Sequence, residues 1–117
     1  MFLLVLCTLS CSLQNKKQAS NSSDTKLSVV GTDTLIGKIQ RSSLEESPHA
    51  AWFTLEYNNY TIDRETIKSF QKSLLDYEIA IFMGTWCSDS QREVPAFFKI
   101  LDEAGFASNN VSLIAVS

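Results

Sequence analysis

The most regular pattern of apolar and polar positions in the chain lies between residues 78 and 105. Ile79 to Met83 form an unbroken apolar run of five residues, which predicts a central strand covered on both faces. After a short turn, apolar residues recur every three or four positions, which predicts an amphipathic helix over 90–104. Gly105 then favours the left-handed turn that ends a helix. The apolar positions of this helix are Val94, Phe97, Phe98, Leu101 and Ala104.

The residues after this helix predict a second strand beside the first. Phe106 is placed to fold back on Leu101, as the hydrophobic contact that closes a helix end. The apolar run from Val111 to Val116 then predicts a strand. Strand 78–83, helix 90–104 and strand 111–116 together form a βαβ unit. We expect its strands to be parallel and its connection to be right-handed.

Upstream of this unit, two shorter patterns predict a hairpin and a turn of helix. From Leu27 to Ile39, β-branched residues flank Gly31-Thr32-Asp33, which predicts a β-hairpin or a pair of edge strands. The polar residues from Arg41 to Ser47 predict a short helical turn before Pro48. Both elements would precede the βαβ unit without interrupting it.

Two further segments are predicted to pack on the core. Residues 50–60 are rich in aromatic side chains, and we interpret them as a strand and loop; the alternative is the wall of a groove beside Cys87. Asp63 is an acidic residue of the kind that favours a helix N-terminus, so we predict that a second helix begins there. The expected inner face of that helix is formed by Ile67, Phe70, Leu74 and Tyr77.

The first 26 residues have the pattern of an export signal followed by a tether. Phe2 to Leu9 form an apolar run interrupted only by Thr8, which is far shorter than the ~20 residues that cross a bilayer. Ser10-Cys11 resembles the cleavage site of bacterial lipoproteins, where the cysteine becomes the lipid-bearing N-terminus; ordinary signal cleavage without lipid is the alternative. We therefore divide the chain into a signal and lipidation segment (1–11), a flexible tether (12–26) and a domain (27–117).

Composition narrows the classes of function. A chain of 117 residues allows one domain, and 44% hydrophobic with 20% charged residues indicates a folded globular protein. The net charge of −3 is too small to predict a partner, and the ten Lys and Arg residues are scattered, so no nucleic-acid surface is predicted. His49 is the only histidine and has no second ligand type clustered near it, so we predict neither a metal site nor a cofactor.

Cys87 is placed where the helix of the βαβ unit begins. The thiolate is the nucleophilic form of cysteine, and a helix N-terminus lowers the thiol pKa from ~8.5 to ~3.5–7.5. Ser88 to Ser90 are residue types that cap a helix start, whereas the carboxylate of Asp89 opposes ionisation if it lies near the sulfur. If Cys7 and Cys11 are removed or lipidated, Cys87 is the one free thiol of the exported protein. We predict a reactive thiol; the alternative is a buried, inert cysteine.

The residues around Cys87 also form a distinctive string. A predicted buried strand leads into Trp86-Cys87, then a two-residue gap, a polar fourth position, and Pro95 eight residues after the cysteine. This arrangement resembles the active-site segment of the thioredoxin superfamily. The fuller string Trp86-Cys87-Ser88-Asp89-Ser90-Gln91-Arg92-Glu93-Val94-Pro95 is similar to that of exported bacterial thioredoxin-like proteins. The resemblance implies an α/β, thioredoxin-like fold, with a parallel βαβ core preceded by a β-hairpin and a helix. Pro95 has no amide hydrogen to bond to Gln91, so we expect a kink there.

The string departs from the family at Ser90, where the usual W-C-x-x-C has a second, resolving cysteine. A serine hydroxyl does not release a mixed disulfide, so an outside thiol must resolve any adduct on Cys87. Ser90 is instead predicted to donate a hydrogen bond to the thiolate. The alternative is an ordinary solvated serine in the first turn of a helix.

The chain ends at Ser117, directly after the second predicted strand. A thioredoxin fold would continue with a helix, a loop bearing a cis-proline, a β-hairpin and a last helix. We expect this chain to be the N-terminal part of such a domain, with the C-terminal half missing; a natural half-domain is the alternative. Without the C-terminal half, we expect one edge and one apolar face of the sheet to be exposed.

The function favoured by these observations is thiol–disulfide exchange on exported proteins, in the periplasm or outer cell envelope, by a membrane-anchored lipoprotein. The catalytic residues would be Cys87, Ser90 and Trp86, with Trp86 shielding one side of the sulfur. Its partners would be protein thiols and disulfides, an external resolving thiol, and the membrane through a lipid on Cys11. The alternatives are a non-catalytic binding module and an inactive fragment. An iron–sulfur site is disfavoured because Ser88-Asp89 does not match the C-G-F-S of cluster-binding glutaredoxins. Peroxidase chemistry is disfavoured because peroxiredoxins have a threonine three residues before the cysteine, whereas Thr85 lies two residues before Cys87.

Overall fold

The computed structural model of the chain describes residues 28–29 and 33–117. The first elements are strands β1 (Ser28–Val29) and β2 (Leu35–Ile39), followed by helices α1 (Ser42–Glu45), α2 (Ala50–Asn59) and α3 (Arg64–Leu74). Strand β3 (Ile79–Met83), helix α4 (Ser88–Glu103), a 3₁₀ turn (Ser108–Asn110) and strand β4 (Val111–Ala115) complete the described part. The fold is mixed α/β, as the sequence predicts. The predicted signal segment (1–11) and tether (12–26) lie outside the described residues.

The strands form a sheet in the order β1-β2-β4-β3. Strands β3 and β4 are parallel, with a register that runs from Ile79 opposite Val111 to Met83 opposite Ala115. Helix α4 connects them, so the predicted βαβ unit with parallel strands is confirmed. Strand β2 pairs antiparallel with both β1 and β4, which confirms the hairpin predicted around residues 27–39.

The prediction that residues 79–83 form a central strand covered on both faces is wrong. In the described part of the chain, β3 lies at one end of the sheet. Alternate side chains of a strand point to opposite faces. Ile79, Ile81 and Met83 therefore point toward the helices, while Ala80 and Phe82 are exposed on the other face. The helices of the βαβ unit and of residues 50–59 cover one face only.

We call the uncovered side the open apolar face. It consists of Ala80, Phe82, Trp86, Ile114 and Val116. Phe82 lies opposite Ile114 in the register of β3 and β4, and its side chain is 68% exposed. Exposed apolar groups of this size are unusual on a soluble monomer when they are contiguous.

Residues 50–59 form helix α2, so the prediction of a strand and loop there is wrong. Aromatic residues are enriched in strands, but this segment also contains the strong helix formers Ala, Leu and Glu. Phe53 and Tyr57 lie one helical turn apart with stacked rings, whose centroids are separated by 6.2 Å. The buried ring of Phe53 also lies 6.1 Å from that of Phe98 in α4. Packing between α2 and α4 therefore supports the helix.

Helix α3 begins where Asp63 predicts. The Asp63 carboxylate accepts hydrogen bonds at 3.1 Å from two backbone amides of the first turn, which would otherwise be unpaired. Ile67 is buried, and Phe70 and Leu74 are partly buried, as predicted for the inner face. Tyr77 lies beyond the last helical residue and is 62% exposed, so its assignment to that face is wrong.

Helix α4 starts at Ser88, two residues before the predicted boundary, and ends at Glu103. Gly105 has a φ of 69°, and its N–H donates to the Asp102 carbonyl at 3.1 Å. The N–H of Phe106 donates to the Leu101 carbonyl at 3.0 Å, and both of these side chains are buried. This is the predicted Schellman ending.

The core lies between the sheet and the helices. Val94, Phe98 and Leu101 of α4 are buried there, whereas Phe97 is partly exposed and does not belong to the buried face. In residues 28–29 and 33–117, no helix combines the length and the apolar character needed to cross a membrane. The main buried cluster is formed by Leu35, Ile39, Leu44, Phe53, Met83, Val94, Phe98, Leu101, Phe106, Leu113 and Ala115.

Candidate functional site

The chain turns sharply between β3 and α4, and this turn carries the candidate cysteine. The N–H of Cys87 donates to the Gly84 carbonyl at 3.0 Å, which closes a turn with Thr85 and Trp86 at its two central positions. Cys87 has extended backbone angles and is the N-cap of α4. The predicted position of the thiol, at the carboxyl end of a strand and the start of a helix, is the one observed.

Hydrogen-bond donors around the sulfur favour its ionised form. The pKa of the Cys87 thiol is lowered from its ordinary value, first by the Ser90 N–H, then by the Asp89 N–H and the Ser90 hydroxyl. The Cys87 side chain makes no capping hydrogen bond in this structure. Cys87 is half-buried and unpaired. Cys87 is therefore not fully buried, as the alternative of a buried, inert cysteine requires, while its reactivity stays a prediction.

Ser90 lies between the end of β3 and the thiol. Its hydroxyl oxygen accepts the N–H of Gly84 at 3.2 Å, and the hydroxyl also lowers the pKa of the Cys87 thiol. A hydroxyl that accepts one hydrogen bond still has its proton to donate. Ser90 is thus held by the turn, with its proton available to the sulfur, and is not an isolated solvated side chain.

The charge of Asp89 is the smallest influence on the pKa of the thiol. It acts against ionisation, but the hydrogen-bond donors of the first turn outweigh it. The Asp89 carboxylate is exposed and lies 3.1 Å from the guanidinium of Arg92. An exposed carboxylate with a cation beside it is screened by both the solvent and its partner. The net effect on Cys87 is therefore a lowered pKa.

Trp86 lies across the ends of β3 and β4. Its indole Nε1 donates to the Val116 carbonyl at 3.2 Å, and its ring covers Gly84 so closely that a Cβ there would lie 2.8 Å from ring atoms. The side chain is 60% exposed. These contacts place Trp86 on the open apolar face next to Cys87, while shielding of the sulfur by the ring stays a prediction.

Two residues of the site were missed in the sequence. Thr85 is only 2% exposed, and its hydroxyl bonds to the start of β2. Gln91 donates from its side-chain Nε2 to the Thr85 carbonyl at 2.7 Å. The only available signal for Thr85 was a polar residue two positions after an apolar strand, and this pattern is equally typical of a solvated turn.

The other candidate residues lie elsewhere. His49 is buried at the start of α2, edge-on to Trp52 with ring centroids 5.9 Å apart, and burial lowers its pKa. The aromatic side chains of α2 pack on α4 and the core, which fits the packing interpretation and not a groove wall beside Cys87. Within the described ranges, no three His, Cys, Asp or Glu side chains are grouped as metal ligands would be. Cys11 lies outside these ranges.

A cavity in the described part of the chain lies away from the thiol. It has a volume of about 220 Å³ and lies at the opposite end of the sheet, where Ile39, Phe106 and Val111 contribute to its lining. Cys87 instead occupies an open turn, which suits a macromolecular substrate better than an enclosed small molecule.

Comparison with known proteins gives no match: the chain matches no protein-family model, no curated protein and no solved structure. The described part of the chain is a mixed α/β domain in which a half-buried cysteine lies at the start of a helix.

Proposed function

We propose that the protein carries out thiol–disulfide exchange on exported proteins through Cys87 alone. The observation that supports this most strongly is the set of donors around the sulfur, which come from Ser90 and Asp89 and lower the thiol pKa. A lower pKa raises the thiolate fraction at neutral pH, and the thiolate is the species that attacks a disulfide. The resemblance of residues 86–95 to thioredoxin-like proteins supports the same chemistry.

The exchange proceeds in two steps. The Cys87 thiolate attacks one sulfur of a substrate disulfide; a new S–S bond forms, the old one breaks, and the other substrate sulfur leaves as a thiolate. An external thiolate then attacks the mixed disulfide, takes over the bound substrate sulfur and releases the Cys87 thiolate. The chain gains and loses no electrons over the cycle. The external thiol is required because Ser90 offers a hydroxyl where a resolving thiol would stand.

Ser90 and Trp86 have supporting roles in this proposal. The Ser90 hydroxyl, fixed by Gly84, stabilises the thiolate before attack and again when the thiolate leaves. Trp86 directly precedes Cys87 in the turn and is exposed, so it offers an apolar surface to the polypeptide that carries the disulfide. No cofactor is needed for either step.

The test is formation of a mixed disulfide at Cys87. The full chain is incubated with oxidised glutathione near pH 7, and glutathione adducts are assigned to individual cysteines by mass spectrometry. We expect the adduct to form on Cys87 and to disappear when a free thiol is added. Cys87→Ser should abolish the adduct. Ser88→Ala, at the exposed first residue of α4, should leave the adduct unchanged. Absence of an adduct on Cys87 in the folded protein contradicts the proposal.

The location of this activity is part of the proposal. The apolar run at Phe2 to Leu9 and the Ser10-Cys11 pair support export to the cell envelope and a lipid anchor on Cys11. Labelling of the expressed protein with a fatty acid should be lost in Cys11→Ser and retained in Cys7→Ser. Labelling that persists in Cys11→Ser would refute the anchor without affecting the chemistry at Cys87.

A second function, that of a non-catalytic binding module, is favoured by one observation. The open apolar face presents Phe82 at 68% and Trp86 at 60% exposure. Such a surface binds partners through burial of apolar area and requires no thiol. Cys87→Ala separates the two functions: loss of the biological effect supports exchange, and its retention supports binding alone.

A further inference from the structure

We propose that the buried hydroxyl of Thr85 is a positioning group that holds the turn carrying Cys87 against the start of β2. The inference rests on the proposed function, because it concerns how the same thiol is kept ionised. Thr85 is one of two buried polar side chains in the described residues, and it is 2% exposed. A buried hydroxyl needs partners, so the identity of those partners is informative.

Both partners of the hydroxyl belong to the segment that begins β2. Thr85 Oγ1 donates to the Asp33 carbonyl at 3.0 Å and accepts from the Leu35 N–H at 3.1 Å. These contacts use the single proton of the hydroxyl and pair two backbone groups about fifty residues away in the chain. Thr85 therefore joins the amino-terminal hairpin to the cysteine turn.

The main chain of Thr85 is held as well. The side-chain Nε2 of Gln91 donates to the Thr85 carbonyl at 2.7 Å. The N–H of Cys87 closes the turn by donating to the Gly84 carbonyl at 3.0 Å. The same Gly84 donates its N–H to Ser90. The turn is thus linked to β2 through Thr85 and to the first turns of α4 through Gly84 and the Thr85 carbonyl.

This arrangement determines where the sulfur lies relative to its donors. The amides of Asp89 and Ser90 are fixed in α4, whereas Cys87 is the last residue of the turn. Attraction between an anion and an N–H falls steeply when the distance or angle degrades. If Thr85 releases the turn from β2, the sulfur moves relative to these amides and the thiol pKa rises toward its ordinary value.

The test compares alkylation of Cys87 as a function of pH in the full-length protein and its variants, with each cysteine resolved by mass spectrometry. Thr85→Val removes the hydroxyl with little change of shape, and we expect the midpoint of the alkylation profile to rise by about 0.5–1 pH unit. Thr85→Ser keeps the hydroxyl and should keep the midpoint close to that of the wild type. This rescue would not follow from a role in packing alone.

A control variant separates positioning from general loss of stability. Thr66→Val removes a different threonine hydroxyl, which donates to Asp63 at 2.6 Å in α3. It should lower the thermal midpoint without moving the alkylation midpoint. Gln91→Met removes the hydrogen bond from the Gln91 side-chain amide to the Thr85 carbonyl and leaves the Thr85 hydroxyl in place. It tests this second attachment of the turn and should also raise the alkylation midpoint.

The outcomes distinguish this inference from the proposed function. An alkylation midpoint that is lowered in the wild type and unchanged in folded Thr85→Val overturns the positioning role of the hydroxyl and leaves the exchange chemistry intact. If Thr85→Val fails to fold, as judged by circular dichroism, Thr85→Ala, which also lacks the hydroxyl, decides in its place. An ordinary midpoint in the wild type overturns both.

Discussion

At the scale of single residues, the chemistry depends on a few donors placed around one sulfur. The sequence indicated two opposing effects on Cys87, the helix start and the carboxylate of Asp89, but did not show which is larger. In the structure, the Ser90 and Asp89 donors lower the thiol pKa more than the Asp89 charge raises it. Position along the chain predicts that a cysteine begins a helix, but it does not give the distances on which these effects depend.

Ser90→Ala tests the contribution of the serine hydroxyl. This variant removes one of the donors that lower the Cys87 pKa but keeps the backbone N–H of residue 90. We expect the thiol pKa to rise and alkylation of Cys87 at pH 7 to slow about threefold. Ser88→Ala is the matched control and should alkylate like the wild type. Equal rates in all three proteins would exclude a role for the hydroxyl.

At the scale of elements, the segments with a regular period were predicted well and the aromatic segment was not. The βαβ unit, the hairpin, the Asp63 start and the Gly105 ending all follow from local patterns and are observed. Helix α2 was missed because its aromatic side chains gain their burial from α4, far away in sequence. Propensity is a weak guide where such tertiary packing decides the outcome.

The stabilisation that Asp63 gives to the start of α3 depends on pH, and the direction of that dependence follows from its pKa. Hydrogen bonds, first from the Thr66 hydroxyl, lower the pKa of the Asp63 carboxyl. The unfolded state therefore takes up this proton first as pH falls, so the stabilisation is complete above the unfolded pKa of about 4 and is lost as pH falls through the folded value. Asp63→Asn keeps a capping oxygen but does not titrate.

We measure this as the thermal midpoint of the wild type minus that of Asp63→Asn between pH 2 and 7. The difference should be constant above about pH 4.5 and should shrink at lower pH. A difference that grows as pH falls would contradict the assignment of Asp63 as an ionised cap.

The end of α4 gives a second prediction at this scale. Gly105 has a φ of 69°, and no atom lies within 4 Å of the place where a Cβ would be added. Gly105→Ala therefore introduces backbone strain without a clash, and we expect it to lower the free energy of unfolding by about 1 kcal/mol. Gly105→Asn should cost less, because asparagine tolerates the left-handed region better. Denaturant titration measures both, and no loss in the alanine variant would argue against this helix ending.

At the scale of the whole molecule, the helices of the described part pack on one face of the sheet and leave the other face open. The sequence predicted coverage on both faces of residues 79–83 because an unbroken apolar run does not reveal which face has a neighbour. Burial shows the difference directly: Met83 is buried, whereas Phe82 is 68% exposed. A sheet edge and an apolar face exposed together favour self-association.

Phe82→Lys tests this property of the surface. We expect the wild type to self-associate with increasing concentration in sedimentation velocity, and Phe82→Lys to reduce that association at little cost to the thermal midpoint, since the side chain is mostly in solvent. Leu75→Lys, an exposed leucine outside the open apolar face, is the matched control and should behave like the wild type. Equal association in all three would show that this face is not responsible.

The most direct test of the central claim is the pH dependence of Cys87 alkylation in the wild-type chain. Iodoacetamide is reacted with the folded protein from pH 4 to 10, and the rate at Cys87 is resolved by mass spectrometry. Because the donors of the α4 start favour the anion, we expect a midpoint clearly below the ~8.5 of a free cysteine. A midpoint at or above that value would contradict an activated thiol at this turn.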